Sequence, residues 1–243
     1  MTTNLQEIKN TTKAIARAVR VTNTNGLPIA IHPFIDSVIW YDKVKPSEIA
    51  TVQNDIDSFD LTNQSVFDEW CKWFNRRVDE CKNATRVYML WRDPWKLTFM
   101  KYCGEHLNKR AYAEFLADAW VTEENPNMDV NMSLEEAIQC FKKAEKRHLM
   151  TEEDYLYYNN LPSEIEVFRG VSKGRVELGL SWTDNREKAI WFMERFKGKK
   201  MGEQKLLKAT IRKDDVLAYF NTRNEQEIVV DVFAIQDKIE RII

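Results

Sequence analysis

The chain has 243 residues, of which 44% are hydrophobic and 30% charged, and its formal net charge is −2. This length fits one large domain or two small ones, and the apolar fraction is sufficient for a buried core. A net charge near zero excludes a global basic field that recruits nucleic acid or an anionic membrane, although it leaves room for a local patch. No apolar run approaches the roughly 20 residues that cross a bilayer, and no secretory signal pattern opens the chain, so a cytoplasmic protein without membrane contact is expected.

The four cysteines and three histidines show no spacing typical of a metal site. The cysteines form no Cys-x-x-Cys pair, and the histidines form no His-Glu-x-x-His motif. All four cysteines lie among apolar neighbours of helical character, where thiols usually serve as small core residues. We therefore expect no metal site and no disulfide framework.

Residues 1–64 are predicted to form an N-terminal segment. Apolar side chains recur at helical spacing within residues 4–20. Residues 29–41 are typical of a strand interrupted at Pro33, because proline belongs at strand edges and bulges. The acidic residues 54–60 lack the glycine and the final glutamate of a calcium-binding loop, so they predict a linker and a boundary.

Residues 65–160 are predicted to form a helical lobe. Ser65 and Thr151 are suitable N-caps, and Ser133 with Glu136 has the spacing of a capping box. Tryptophan is concentrated ahead of the sheet region, where such a set is more often core than a ligand cage. Six of the eight tryptophans are placed in that core: Trp40, Trp70, Trp73, Trp91, Trp95 and Trp120.

Residues 161–243 are predicted to form a sheet core. Strands are expected at residues 206–211 and 216–220, and a last strand at residues 229–235. A helix is expected to begin after Asp184. Five of the seven glycines lie in this part of the chain, which suits either a binding cleft or a loop-rich sheet with tight turns.

Three short motifs within the sheet core carry the candidate chemistry. They are Phe168-Arg169-Gly170, Ser181-Trp182-Thr183 and Glu225-Gln226-Glu227. Each lies at the end or edge of a predicted strand, and each alone also fits an ordinary sheet; Glu-x-Glu is most often a solvated face. Their order and strand context together resemble the mono-ADP-ribosyltransferases of the Arg-Ser-Glu type, which use NAD. Trp182 departs from that family's usual pattern, which has Thr at the centre of the middle motif.

The residue types suit cleavage of NAD. Breaking the bond between nicotinamide and ribose develops oxocarbenium character, which a nearby carboxylate stabilises. The planar donor fork of an arginine matches phosphate or ribose oxygens, and a serine hydroxyl can orient a carboxylate. Glu225 and Glu227 are two residues apart, so a regular strand would present both on one face.

The resemblance implies a role for each of these residues. It implies that Arg169 grips NAD and that Ser181 orients Glu227. Glu227 would then bond the ribose next to nicotinamide, while Glu225 positions or deprotonates the acceptor. In this family a glutamate at the position of Glu225 accompanies arginine acceptors. Gly170 would let the cofactor approach the backbone.

Thr183 is expected beside the cofactor as well, and an aromatic residue is expected to stack on nicotinamide. Phe192, Trp191 and Phe196 are the candidates for that contact, and the sequence does not choose among them. Core packing is the simpler explanation for any one of these three rings. Residues 196–202 are typical of a loop whose lysines meet solvent rather than the NAD phosphates.

The expected fold is α+β: a helical N-terminal lobe followed by a mixed, split β-sheet core of the ADP-ribosyltransferase type. The expected function is NAD-dependent transfer of ADP-ribose to a macromolecular acceptor, with protein arginine favoured over nucleic acid. Two alternatives share the site: an NAD glycohydrolase and a nucleic-acid ADP-ribosyltransferase. A third alternative is a non-catalytic protein-binding module.

Overall fold

The computed structural model describes residues 2–24, 27–41, 58–195 and 203–243. The chain folds into two compact units, Thr2–Leu107 and Asn108–Ile243. Both contain helices and small antiparallel sheets, so the α+β class is confirmed. This division at Leu107 differs from the boundaries expected after residues 64 and 160. Among the described residues, no helix has the length and apolar character that crossing a bilayer requires.

Among its described residues, the N-terminal unit has four α-helices and two antiparallel pairs of short strands. The elements are α1 Leu5–Ala18, β1 Asn23–Thr24, β2 Leu27–Ala30, β3 Ile39–Tyr41, β4 Ser58–Asp60, α2 Gln64–Glu80, α3 Ala84–Tyr88 and α4 Lys96–Cys103. The predicted first helix is confirmed as α1. Helix α2 begins one residue before the expected cap, because the Asn63 side chain accepts from the Ser65 N–H instead. Most of the predicted linker at residues 54–60 lies outside the described residues.

Aromatic side chains form the core of the N-terminal unit, as the tryptophan distribution predicts. Trp70 and Phe74 stack with ring centroids 5.0 Å apart, and Trp91 meets Phe34 edge-on at 4.7 Å. Trp70 and Trp91 are buried, whereas Trp40, Trp73 and Trp95 are half-buried at its margin. His32 lies completely buried among these rings.

Five of the six described α-helices in the C-terminal unit begin at a side-chain cap, and α7 is the exception. They are α5 Lys109–Thr122, α6 Leu134–Lys143, α7 Lys146–Leu149, α8 Glu152–Asn160, α9 Arg186–Glu194 and α10 Val232–Ile235. The predicted capping box of Ser133 and Glu136 is present, and Thr151 caps α8. Helix α9 is capped by Asn185, one residue beyond the expected Asp184.

Six strands of this unit form two three-stranded sheets. They are β5 Glu164–Val171, β6 Ser181–Trp182, β7 Lys205–Arg212, β8 Val216–Phe220, β9 Glu227–Val230 and β10 Glu240–Arg241. The strand orders are β10-β7-β5 and β6-β9-β8. Every pairing between the described strands of this unit is antiparallel, so the prediction of a mixed sheet is wrong. The predicted strands at residues 206–211 and 216–220 are confirmed as β7 and β8.

The predicted last strand at residues 229–235 is wrong beyond Val230. Asp231 accepts from the Ala234 N–H and starts the single turn of α10. A short apolar run fits a strand or a buried helical turn equally well, and here the cap decides the outcome.

The two sheets of the C-terminal unit meet at one backbone bridge between Phe168 on β5 and Thr183 just after β6. This bridge brings the first two motifs side by side. The third motif arrives at the same place because β9 pairs with β6, with Ser181 opposite Val229. The junction of the two sheets therefore gathers residues that lie up to about sixty positions apart in the sequence.

Candidate active site

A cleft of about 200 Å³ lies at the junction of the two sheets. Its walls come from the end of α5 and the following segment, from β5 and β6, from α9 and from the turn before β9. All seven residues expected at the site line it: Arg169, Gly170, Ser181, Thr183, Phe192, Glu225 and Glu227. The motifs that the sequence singled out therefore converge.

Arg169 is part of the wall and is only 7% exposed. Its Nε donates to the Glu177 carbonyl at 3.0 Å, Nη1 to the Ser181 carbonyl at 2.7 Å and Nη2 to the Val176 carbonyl at 2.9 Å. Burial lowers the pKa of Arg169 to about 10, with Glu227 opposing that shift, so the guanidinium remains charged at neutral pH. Arg169 thus fixes the segment that leads into Ser181.

Two glycines beside Arg169 are required by packing. A Cβ on Gly170 would overlap the Ala189 carbonyl oxygen and approach the Met193 nitrogen, so α9 packs directly on this stretch of β5. A Cβ on Gly179 would overlap the Arg169 guanidinium. Gly170 lines the cleft, but helix packing alone accounts for the absence of a side chain there.

Glu227 is the acid at the centre of the cleft, where it is half-buried at the start of β9. The Trp120 Nε1 donates to its Oε1 at 3.0 Å, and the Ser181 side chain lies near enough to lower its pKa as a hydrogen-bond partner. Burial raises the pKa of Glu227 and Glu225 adds to the rise, whereas the two hydrogen bonds and Arg169 lower it. Trp120 and Ser181 are therefore the two side chains whose hydrogen bonding favours the ionised form of Glu227.

Glu225 lines the cleft, but it does not belong to the regular strand that the sequence predicts. Gln226 has φ of 52° and Asn224 has φ of 54°, so Glu225 lies in a turn and β9 begins only at Glu227. The two glutamates line one cleft, but strand alternation does not place them there. The turn is fixed by Asn221, whose carbonyl accepts from the Asn224 N–H at 2.8 Å and whose side chain accepts from the Gln226 N–H at 3.2 Å.

A side-chain bond ties the same turn to α9. The Asn185 Nδ2 donates to the Gln226 Oε1 at 2.9 Å. The Asn185 Oδ1 caps the helix by accepting from the N–H groups of Glu187 and Lys188. Thr183 is buried, and its hydroxyl accepts from the Asn185 N–H at 3.2 Å. One asparagine therefore links the middle motif, the helix and the last motif.

Phe192 is the aromatic candidate that lines the cleft. It is half-buried on α9 and meets Trp191 edge-on at 5.0 Å. Trp191 is 55% exposed and is not part of the lining. Phe196 and the loop at residues 196–202 lie outside the described residues.

Sequence reasoning missed several residues of the lining. They are Trp120, Glu123, Asn127, Arg175 and Arg195. Glu123 has an Oε2 buried without a hydrogen-bond partner among the described residues, and burial raises its pKa. Trp120 sits in an apolar helix and Asn127 in a polar connection, so neither carries a local signal of a site. The described residues contain no cluster of His, Cys, Asp and Glu that could hold a metal ion.

Comparisons with protein-family models, with curated proteins and with solved structures gave no match for this chain. The geometry of the cleft and the three motifs are therefore what supports a function.

Proposed function

We propose that this protein is an NAD-dependent mono-ADP-ribosyltransferase that moves ADP-ribose to a macromolecular acceptor, with protein arginine favoured. The convergence of Arg169, Ser181 and Glu227 on one cleft carries this proposal. These residues come from three different strands or strand ends, and a sheet with ordinary solvated faces has no reason to aim them at one space. A non-catalytic binding module would not need that convergence.

The proposed reaction breaks the bond between the nicotinamide nitrogen and C1′ of the ribose. The bonding electron pair leaves with nicotinamide, which departs neutral, and C1′ acquires oxocarbenium character. Glu227 stabilises that charge from the half-buried position where Ser181 and Trp120 hold it. The acceptor nucleophile then bonds to C1′, and its proton passes to Glu225 or to water.

The diphosphate of NAD needs cationic partners, and Arg169 has three of its five N–H donors committed to carbonyls. Arg175 and Arg195 line the same cleft, the first half-buried and the second exposed. A diphosphate carries two negative charges, which two guanidinium groups match in number and geometry. In this assignment Arg169 shapes the wall, and Arg175 and Arg195 contact the diphosphate.

Glu225 supports an arginine acceptor. It lies half-buried in the turn and close enough to Glu227 to raise the pKa of that residue. A carboxylate at this position attracts a guanidinium and can take a proton from it as the new bond forms. With water in the acceptor's place, the same residues would hydrolyse NAD, which is the second candidate activity.

The test is incubation of the full chain with NAD labelled in its adenylate part, together with a cell lysate. Label on protein with wild type but not with Glu227→Gln, at equal folding by circular dichroism, is the expected result. Nuclease-sensitive label would move the acceptor to nucleic acid, and nicotinamide release without labelled product would indicate hydrolysis. NAD consumption by the Glu227→Gln variant at the wild-type rate would overturn the mechanism.

A further inference from the structure

Trp120 and Asn127 lie outside the three motifs, yet each donates a hydrogen bond to a motif residue, Trp120 to Glu227 and Asn127 to Ser181. Trp120 comes from the last turn of α5, and Asn127 from the segment that follows that helix. Trp120 is 1% exposed and packs edge-on against Phe141, with centroids 5.0 Å apart. Its indole ring is therefore fixed, and its Nε1 has Glu227 as a partner at 3.0 Å.

The side-chain amide of Asn127 is held in one orientation by two partners. The Leu180 N–H donates to Oδ1 at 2.6 Å, and Nδ2 donates to the Ser181 Oγ at 2.8 Å. Rotating the amide by half a turn would set its NH₂ group against the Leu180 N–H, which is donor against donor. The Leu180 backbone thus determines which end of Asn127 faces Ser181.

This orientation dictates what the Ser181 hydroxyl does. Its oxygen already accepts the hydrogen from Asn127, so its own hydrogen is available for a different acceptor. Ser181 lowers the pKa of Glu227 as a hydrogen-bond partner, so the Glu227 carboxylate is the acceptor that we assign to this hydrogen. The bonds run in one direction, from Asn127 to Ser181 to Glu227, while Trp120 donates to Glu227 separately.

We propose that Trp120 and Asn127 are positioning residues that keep Glu227 ionised and aimed into the cleft, Trp120 directly and Asn127 by orienting the Ser181 hydroxyl. This assignment rests on the proposed transferase for the role of Glu227. The hydrogen-bond geometry itself can be tested without turnover.

Several charges act on Glu227 from the elements around it. Arg169 on β5 favours its ionised form, and Glu225 in the turn before β9 opposes it. The remaining charged residues of the lining are Glu123, Glu124, Arg175, Arg195 and Arg223. These groups stay in place when Trp120 or Asn127 is replaced, so any shift of the Glu227 pKa in those variants reports the lost donor.

The first experiment titrates Glu227 in the ligand-free full chain by carbon NMR, with glutamate labelled at the carboxyl carbon. The Glu227→Gln variant identifies the signal. Trp120→Phe keeps an aromatic ring and removes the N–H donor, and it is expected to raise the pKa of Glu227 by about one unit. Ser181→Ala and Asn127→Ala are expected to raise it too, with the smaller rise in Asn127→Ala, where the hydroxyl remains but is free to rotate.

The double variant Asn127→Ala/Ser181→Ala tests whether Asn127 acts on Glu227 by orienting the Ser181 hydroxyl or independently of it. If Asn127 acts through the Ser181 hydroxyl, the double variant has the same Glu227 pKa as Ser181→Ala alone. Independent contributions of the two residues would add instead. Additive shifts would overturn the assignment of Asn127, and an unchanged pKa in Trp120→Phe would overturn that of Trp120.

Two matched controls remove comparable groups elsewhere. Trp91→Phe loses another buried indole donor, which in the N-terminal unit bonds the Thr12 Oγ1 at 3.4 Å. Asn108→Ala loses a capping asparagine that accepts from the Ala111 N–H at 2.9 Å. Both are expected to lower thermal stability and to leave the pKa of Glu227 unchanged.

The second experiment follows the pH dependence of nicotinamide release. Trp120→Phe and Asn127→Ala are expected to lower kcat about tenfold with the KM for NAD within about threefold, because the lost bonds act on the charge that forms in the transition state. The acid limb of kcat/KM, which reports the free enzyme, should move to higher pH by the same amount as the titrated pKa. Absence of NAD consumption by wild type would refute the transferase and leave the titration to decide the positioning. An active wild type whose variants keep both the Glu227 pKa and the acid limb would refute the positioning alone.

Discussion

Phe168 and Thr183 exchange two backbone hydrogen bonds, 2.7 Å long from the Phe168 N–H and 2.9 Å long from the Thr183 N–H. Phe168 is the first residue of the first motif and Thr183 the last residue of the second, so this pair sets the distance between Arg169 and Ser181. Arg169 then donates to the Ser181 carbonyl across the junction. Main-chain and side-chain hydrogen bonds thus together fix the position of Ser181, the residue next to the candidate acid Glu227.

Replacing Arg169 by lysine is expected to lower the free energy of unfolding by about 2–4 kcal/mol and to abolish NAD consumption. A lysine ammonium is a compact group that cannot reach three carbonyls spread around a planar fork. Urea unfolding followed by fluorescence measures the loss. The control is Arg110→Lys, at an exposed ion pair with Glu114, where a change under about 0.5 kcal/mol is expected. Equal effects at the two positions would contradict the wall-forming role of Arg169.

Gly170→Ala is expected to destabilise the fold by about 3 kcal/mol or more, because its Cβ would overlap the backbone of α9. Backbone atoms of a helix cannot move aside as the end of a flexible side chain can. Gly174→Ala is the comparison, since Gly174 is exposed with φ of 80° and should cost only about 1 kcal/mol of backbone strain. A Gly170→Ala variant as stable as wild type would show that α9 can shift away from β5.

Glu225→Ala is expected to lose transfer to protein by at least about tenfold while NAD hydrolysis stays within about threefold, since water needs no bulky-acceptor site. Removing this charge should also lower the pKa of Glu227, so the acid limb of hydrolysis moves to lower pH. Parallel assays of labelled protein and free ADP-ribose give the ratio. Glu225→Gln is the matched variant that keeps the shape. Equal losses of both activities would remove the acceptor role of Glu225.

Arg195→Gln is expected to raise the KM for NAD about tenfold with kcat nearly unchanged, as a lost diphosphate contact away from the reacting bond should. The effect should shrink as salt increases, because screening weakens the interaction in wild type. Arg241→Gln, at an exposed pair with Glu203, is the control for loss of one positive charge. An unchanged KM in Arg195→Gln would leave Arg175 as the diphosphate partner.

Acid is expected to destabilise the N-terminal unit through His32. Burial lowers the pKa of His32 to about 4, and its Nδ1 accepts from the Phe34 N–H while Nε2 faces the Ala16 carbonyl. Between pH 6.5 and about 4 the unfolded chain therefore binds a proton that the folded chain excludes, so stability falls as pH falls, by up to about 3 kcal/mol. Unfolding of wild type and His32→Asn across this range measures the effect. An equal pH slope in both would assign the acid sensitivity to other groups.

The sequence alone was sufficient to select the cleft residues that belong to the three motifs. Arg169, Ser181 and Glu227 stand in a recognisable order beside strands, and the cleft contains all three. Capping also follows from local chemistry, as the Ser133 and Glu136 box illustrates. These are features in which a few neighbouring residues decide the outcome.

The rest depends on contacts between distant parts of the chain. Trp120 bonds a residue 107 positions away, and nothing near it in the sequence distinguishes it from a core tryptophan. The sequence predicts a cofactor contact at Gly170, and only the fold reveals that the α9 backbone packs against this residue as well. The predicted last strand is too long because a short apolar run fits a strand and a buried helical turn equally well. Here Asp231 caps a helical turn directly after Val230.

Asn224 and Gln226, on either side of Glu225, have left-handed backbone conformations, so different structural features determine the positions of Glu225 and Glu227. Glu227 is placed by the register of β9, whereas Glu225 is placed by a turn that reverses at Asn224 and Gln226. Under the proposed function, lengthening or recomposing that turn would change which nucleophile is presented to C1′ and leave the position of Glu227 unchanged. A transferase built in this way can diversify its targets through one short surface segment while the chemistry of its cleft is inherited intact.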